Sequence, residues 1–187
     1  MKKKNITIVI GIILSILPVV FGYFALGVLV AAVFAAGYIG GLICWLLVKR
    51  EIPFRAIRLP YWLTWIAFIL LHKPEERYMK FFEEVSAITG KPVPSAFDPS
   101  VVLLLIAGVL PWLFVPVLIK RNSKLGYCLA WTFFASMGLT ELAHFLVFPF
   151  LKQSSYAYFP GMASAAILIP LAFWGMYRLA FYRDKKL

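Results

Sequence analysis

Residues 125–148 read LGYCLAWTFFASMGLTELAHFLVF, an apolar run whose only acidic or basic side chains are Glu141 and His144. About 20 such residues carry an α-helix across the hydrocarbon of a bilayer. An ionisable side chain at that depth costs several kcal/mol unless it is partnered, so its presence points to a functional site. The run therefore predicts a membrane-spanning helix with a site near one end. Glu141 is the one acidic residue well inside an apolar stretch, and His144 is one of only two histidines.

The rest of the chain fits that reading. Hydrophobic residues make up 63% of the 187, charged residues only 14%, and the mean hydropathy is +0.87. A soluble domain would carry about 25% charge, so the fold class expected is an all-α, polytopic transmembrane bundle. Six spans are predicted: a hairpin within residues 6–48 turning near Phe21-Gly22-Tyr23, then runs at 61–72, 101–119, 125–148 and 159–181. The corresponding units are an N-terminal hairpin (1–48), a basic loop (49–60) and a four-helix core (61–187). Pro111 and Pro116 are expected to break the fourth span, and residues 77–88 form an amphipathic stretch outside the membrane.

The net charge of +11 does not signal nucleic acid, because the basic residues sit in short loops beside apolar runs. That arrangement sets topology, cytoplasmic loops being richer in Lys and Arg. With six spans, fourteen of the nineteen Lys and Arg fall on the face that carries both termini, and Lys73, Arg77, Lys80, Lys91 and Lys152 fall on the other. Both ends are therefore expected in the cytoplasm. Cys44 and Cys128 have no metal or redox spacing and read as buried, inert thiols.

The second histidine opens another cluster, His72-Lys73-Pro74-Glu75-Glu76, at the outward end of the third span. Residues i and i+3 or i+4 share a helix face, so His72 aligns with Glu75 or Glu76, and Glu141 with His144. At 1.5 Å per residue both clusters lie within roughly 10 Å of the same membrane boundary. Facing each other, they offer two imidazoles and up to three carboxylates, the ligand supply of a zinc site or of a di-iron or di-manganese carboxylate bundle. Two plainer readings stand beside this one. The helix ends at Pro74 and leaves Glu75 and Glu76 in a solvated loop, or Glu141 and His144 simply brace helix packing. Glu83 and Glu84 read as a solvated face.

With these motifs and the later Tyr158-Phe159-Pro160-Gly161 in place, the chain resembles the HXXEE family of membrane proteins over about residues 61–182. The resemblance implies a four-helix membrane unit with an enzymatic role, to which the N-terminal hairpin is an addition. Carried over by residue, it points to His72, Glu75, Glu76 and His144, with Tyr158, Pro160 and Gly161 shaping the end of the last helix. Glu141 departs from the Asn often seen in that region and makes the site more acidic.

The leading expectation is a metal-dependent membrane enzyme acting on a lipid or other lipophile. For a zinc hydrolase, His72, His144 and Glu141 would hold the metal, and Glu75 or Glu76 would be general base. For a di-metal oxidase or oxygenase using iron or manganese, His72, Glu75, Glu76, Glu141 and His144 would all be ligands. The alternatives are a metal-free isomerase or lipophile-binding bundle with a Glu/His proton shuttle, and a small transporter. The transporter needs a polar path to both faces, and the cytoplasmic halves of the helices offer almost none.

Overall fold

The computed structural model describes residues 2–95, 97–152 and 156–183, and the regular structure among them is entirely helical. Seven rods follow one another: α1 (Lys2–Leu26), α2 (Val28–Leu47), α3 (58–78), α4 (Phe81–Thr89), α5 (Pro99–Lys120), α6 (Lys124–Leu151) and α7 (Met162–Phe181). Five of them, α1, α2, α5, α6 and α7, are long and apolar enough to cross a membrane. The sixth predicted span is α3, of similar length but charged along its last turns by Lys73, Glu75, Glu76 and Arg77. α6 is the centre: 61% of its apolar stretch is buried, against 22–33% for the other four. Of these five, the helix that carries Glu141 and His144 is thus the one most enclosed by the rest of the protein.

Two boundaries differ from expectation. The first hairpin turns at Gly27, not at residues 21–23, because Gly27 alone there takes a positive φ (91°). Gly22 stays helical, held against Phe34. At Pro74 the helix does not end. A π turn at Phe68–His72 precedes it, Lys73 N–H bonds back to Phe68 O, and α3 runs on to Tyr78. Pro116 has a different consequence. Having no N–H, it cannot bond the Trp112 carbonyl one turn back, and the Tyr61 hydroxyl donates to that carbonyl at 2.8 Å.

One end of the bundle gathers basic loops. Arg50 Nη1 donates to Ala180 O at 2.7 Å, Arg178 Nε to Ala56 O at 2.9 Å and Tyr127 Oη to Ile52 O at 3.0 Å. These bonds tie the 50–56 loop to α6 and α7. Residues 184–187, part of the predicted basic C-terminal end, lie outside the described residues. Above the basic end sits an aromatic core in which Trp112 stacks on Tyr38 (centroids 5.3 Å, planes 13° apart) and meets Phe133 edge-on. The His and Glu clusters occupy the opposite end.

Candidate metal centre

Each site helix widens just before its site residues. α3 has the π turn ending at His72, and α6 has another at Ser136–Thr140, directly before Glu141. Such turns shift the register by one residue and recur at functional sites. The second is pressed against α2: a Cβ on Gly37 would lie 2.2 Å from Thr140 Oγ1 and 2.6 Å from Ser136 Cα, so only glycine permits this approach.

The four side chains His72, Glu76, Glu141 and His144 meet, all buried (0, 8, 7 and 4% exposed). Glu141 Oε2 is 2.9 Å from His72 Nε2 and 3.2 Å from His144 Nε2. Glu76 Oε1 is 3.3 Å and 3.8 Å from the same two nitrogens. His72, Glu76 and His144 each offer one ligand atom within 4.8 Å of the others, close enough to share an ion. Donors 2.0–2.2 Å from a common tetrahedral ion sit about 3.3–3.6 Å apart, and the observed distances bracket that value.

The far sides of both imidazoles decide which atoms point inward. His144 Nδ1 lies 2.6 Å from Pro160 O, which can only accept, so Nδ1 carries the proton. His72 Nδ1 lies 3.0 Å from Ser164 Oγ, whose own hydrogen goes to Gly161 O at 3.2 Å. This hydroxyl therefore accepts from His72. With Nδ1 so occupied, each imidazole turns Nε2 toward the carboxylates: protonated, Nε2 is an ion-pair donor, and neutral, it is a bare lone pair that calls for a cation between it and the oxygens. His72 Nε2 and Glu141 Oε2 form a buried ion pair at 2.9 Å that falls short of a well-aligned hydrogen bond.

Gly161 completes the cradle. It takes φ 93°, and a Cβ there would fall 2.6 Å from His144 Cε1 and 2.9 Å from His72 Cε1. Phe81 on α4 closes the remaining side, its ring 5.7 Å from that of His144.

Glu75 is placed elsewhere. Its carboxylate accepts from the first backbone N–H groups of α7, Gly161 and Ala163 at 3.2 Å and Ser164 at 2.8 Å, and from the Tyr158 hydroxyl. It satisfies orphan donors at a helix N-terminus and complements that terminus's positive end. This full set of partners leaves Glu75 neither a free base nor a ligand of the cluster. Burial, then the Glu75 carboxylate, hold the Tyr158 phenol above its ordinary value. Glu76 keeps one oxygen on Lys73 Nζ and the other toward the imidazoles. Glu84 pairs with Lys152 at 2.8 Å, and Glu83 is exposed; neither enters the cluster.

Three contributors were not singled out by sequence, Ser164, Lys73 and Phe81. Lys73 lies inside the quoted motif, but Ser164 has no signal beyond its place one turn after Gly161. No family model, curated protein or solved structure matches the chain, so the functional reading rests on this geometry.

Proposed function

We propose that the protein is a membrane-embedded hydrolase that binds one divalent metal ion, zinc by preference, through His72, His144 and Glu141, with Glu76 as general base. The observation that carries this is the convergence of two imidazole Nε2 atoms on carboxylate oxygens, both Nδ1 atoms being occupied. A 2+ ion neutralises the two carboxylates, and two His with one carboxylate leave a coordination position open. Such an ion would polarise a carbonyl and bring the pKa of water toward 7.

The protein's own residues then have distinct tasks. Pro160 O and Ser164 Oγ fix the tautomer and tilt of the two rings, as outer partners of ligating histidines do. Glu76 is the more distant carboxylate from both nitrogens and is aimed by Lys73. It takes the proton from the attacking water and returns it to the leaving group, so the proton balance closes within one residue. Because Glu75 is engaged at α7, a five-ligand di-metal set is not what these side chains offer. By the count of basic residues, the site would face the non-cytoplasmic side and both termini the cytoplasm. The motif order is also what supports membership of an HXXEE-like group.

A second reading has its own support: 2.9 Å between His72 Nε2 and Glu141 Oε2 is hydrogen-bond length. Two imidazolium ions would then balance two carboxylates in a metal-free proton relay. Elemental analysis of protein purified without chelators separates the two. About one zinc per chain, lost in folded His144→Ala and Glu141→Ala variants, is expected. No metal as purified and none on adding back zinc, iron or manganese would leave the proton relay.

A further inference from the structure

Next to the His/Glu cluster, a cavity of about 110 Å³ lies among α2, α3, α5 and α6. Its walls run from exposed to buried. Lys73 and Leu105 line it and are exposed, whereas Trp112, Ser136 and Glu141 line it and are buried. The cavity therefore opens at the lipid-facing seam between α3 and α5 and ends blind at the carboxylate of the cluster. Both sides of the mouth are π turns, Phe68–His72 on α3 and Leu105–Val109 on α5. Deeper, the Tyr61–Trp112 bond ties the same two helices together, which places the opening at the end near the site.

The interior is not simply greasy. Ser136, 3% exposed, lines the cavity with a hydroxyl that has no partner. A buried hydroxyl without a partner costs about 1–3 kcal/mol, and an oxygen acceptor entering the cavity would remove that cost. Lys73 sits at the mouth, its ammonium paired with Glu76 through one oxygen and keeping further hydrogens to donate. Size narrows the choice further. A dry cavity of roughly 150 Å³ takes one benzene, so this one admits only a small polar end and a few carbons. A glycerophospholipid headgroup does not fit.

We infer that this seam admits the small carboxyl, ester or amide end of a single acyl chain, drawn sideways from the bilayer, with the tail left in lipid. Its oxygens meet Ser136 and Lys73, and its carbonyl carbon arrives beside Glu141. This deepens the hydrolase reading and rests on it for the chemistry, but not for the binding.

The test is photocrosslinking of full-length protein in nanodiscs with a long-chain fatty acid bearing a mid-chain diazirine and a terminal alkyne. A phosphatidylcholine carrying the same chain is the second arm, and metal content is measured on every sample. The fatty acid is expected to label peptides containing 68–73 and 104–109, and excess unlabelled fatty acid should compete. The phosphatidylcholine should label lipid-facing helices without competition. Leu105→Trp and Val109→Phe, which fill the mouth, should abolish the competed fraction at unchanged metal content. Ser136→Ala should weaken competition roughly three- to tenfold, the loss of one hydrogen bond. Uncompeted labelling along all helices, equal competition by the phosphatidylcholine, or indifference to all three variants would overturn the inference. Competed labelling of a metal-free protein would keep it and remove the metal reading. Metal without competed labelling would do the reverse.

Discussion

In the half of the bundle toward the basic loops, several polar side chains are tied donor to acceptor, although Thr64 Oγ1 and Trp65 Nε1 are buried there without a hydrogen bond. Tyr61 donates to Trp112 O, Trp112 Nε1 to Thr132 Oγ1 at 3.1 Å, Thr132 to Leu129 O and Tyr127 to Ile52 O. At the opposite end, two imidazoles and two carboxylates converge with 2.9–3.8 Å between their nitrogens and oxygens. Both halves lie in the same bundle and share α3 and α6. The first would lose little if its polar groups were replaced by apolar ones of equal shape. The second would not, because removing one partner of a buried ionic group leaves the other uncompensated. The contrast is between two kinds of polar interior: local pairing of neutral groups in one half, and a cluster of buried ionisable groups, the site of the proposed function, in the other.

The largest expected effect comes from breaking the second half. His72→Ala should lower zinc content at least tenfold and destabilise the apo-protein, in which a protonated His72 pairs with Glu141 and Glu76, by about 3–5 kcal/mol, since both carboxylates lose a shared partner. Elemental analysis and denaturant titration in mixed micelles read the two effects. Zinc retained at wild-type level in a folded His72→Ala variant would dissolve the contrast. Gly161→Ala comes next. Its φ of 93° and the two imidazole carbons within 3 Å of the new Cβ force either backbone strain of about 1–3 kcal/mol or a tilt of both rings. Zinc affinity should fall by more than tenfold although no ligand has been altered. An unchanged affinity would mean that the rings are not held by this turn.

Adjacent carboxylates give a sharper comparison. Glu75→Gln removes a charged acceptor from the N-terminus of α7 and should cost about 1–2 kcal/mol, with zinc content unchanged. Glu76→Gln should keep most of the zinc, held by His72, His144 and Glu141, and lose the group that takes the proton. If Glu75→Gln strips the metal and Glu76→Gln does not disturb the site, their roles are reversed from those assigned above.

Much of this was legible in the sequence, and what was not has physical causes. Apolar runs of spanning length and the i, i+4 and i, i+3 spacings of His72–Glu76 and Glu141–His144 are local properties, and the structure brings both pairs to one point. Glu75 and Glu76 look alike because they are neighbours. What separates them is α7, whose first turn lies 86 to 89 residues away and reaches Glu75 alone. The π turns leave no trace in hydrophobic periodicity over so few residues, and they move Glu141 by one position around its helix. The hairpin turn depends on which glycine takes positive φ. Two candidates were present, and packing of Gly22 against Phe34 settled it.

The smallest effect tests the quiet half. Tyr61 is fully buried and its hydroxyl fills an acceptor that Pro116 cannot serve, although Val115 N–H also reaches the Trp112 carbonyl. Tyr61→Phe therefore leaves that carbonyl with one partner instead of two, and the ring keeps its contacts with Phe133 and Phe54. A loss of about 1 kcal/mol is expected, with wild-type zinc content, read by the same titration. Because this bond also closes the seam between α3 and α5 below the cavity, the variant has a second readout. A loss near 1 kcal/mol with unaltered fatty-acid competition would make the bond purely structural. A larger competed fraction at the same metal content would mean that the quiet half sets how far the mouth can open. The two halves would then be coupled through a single hydroxyl on α3.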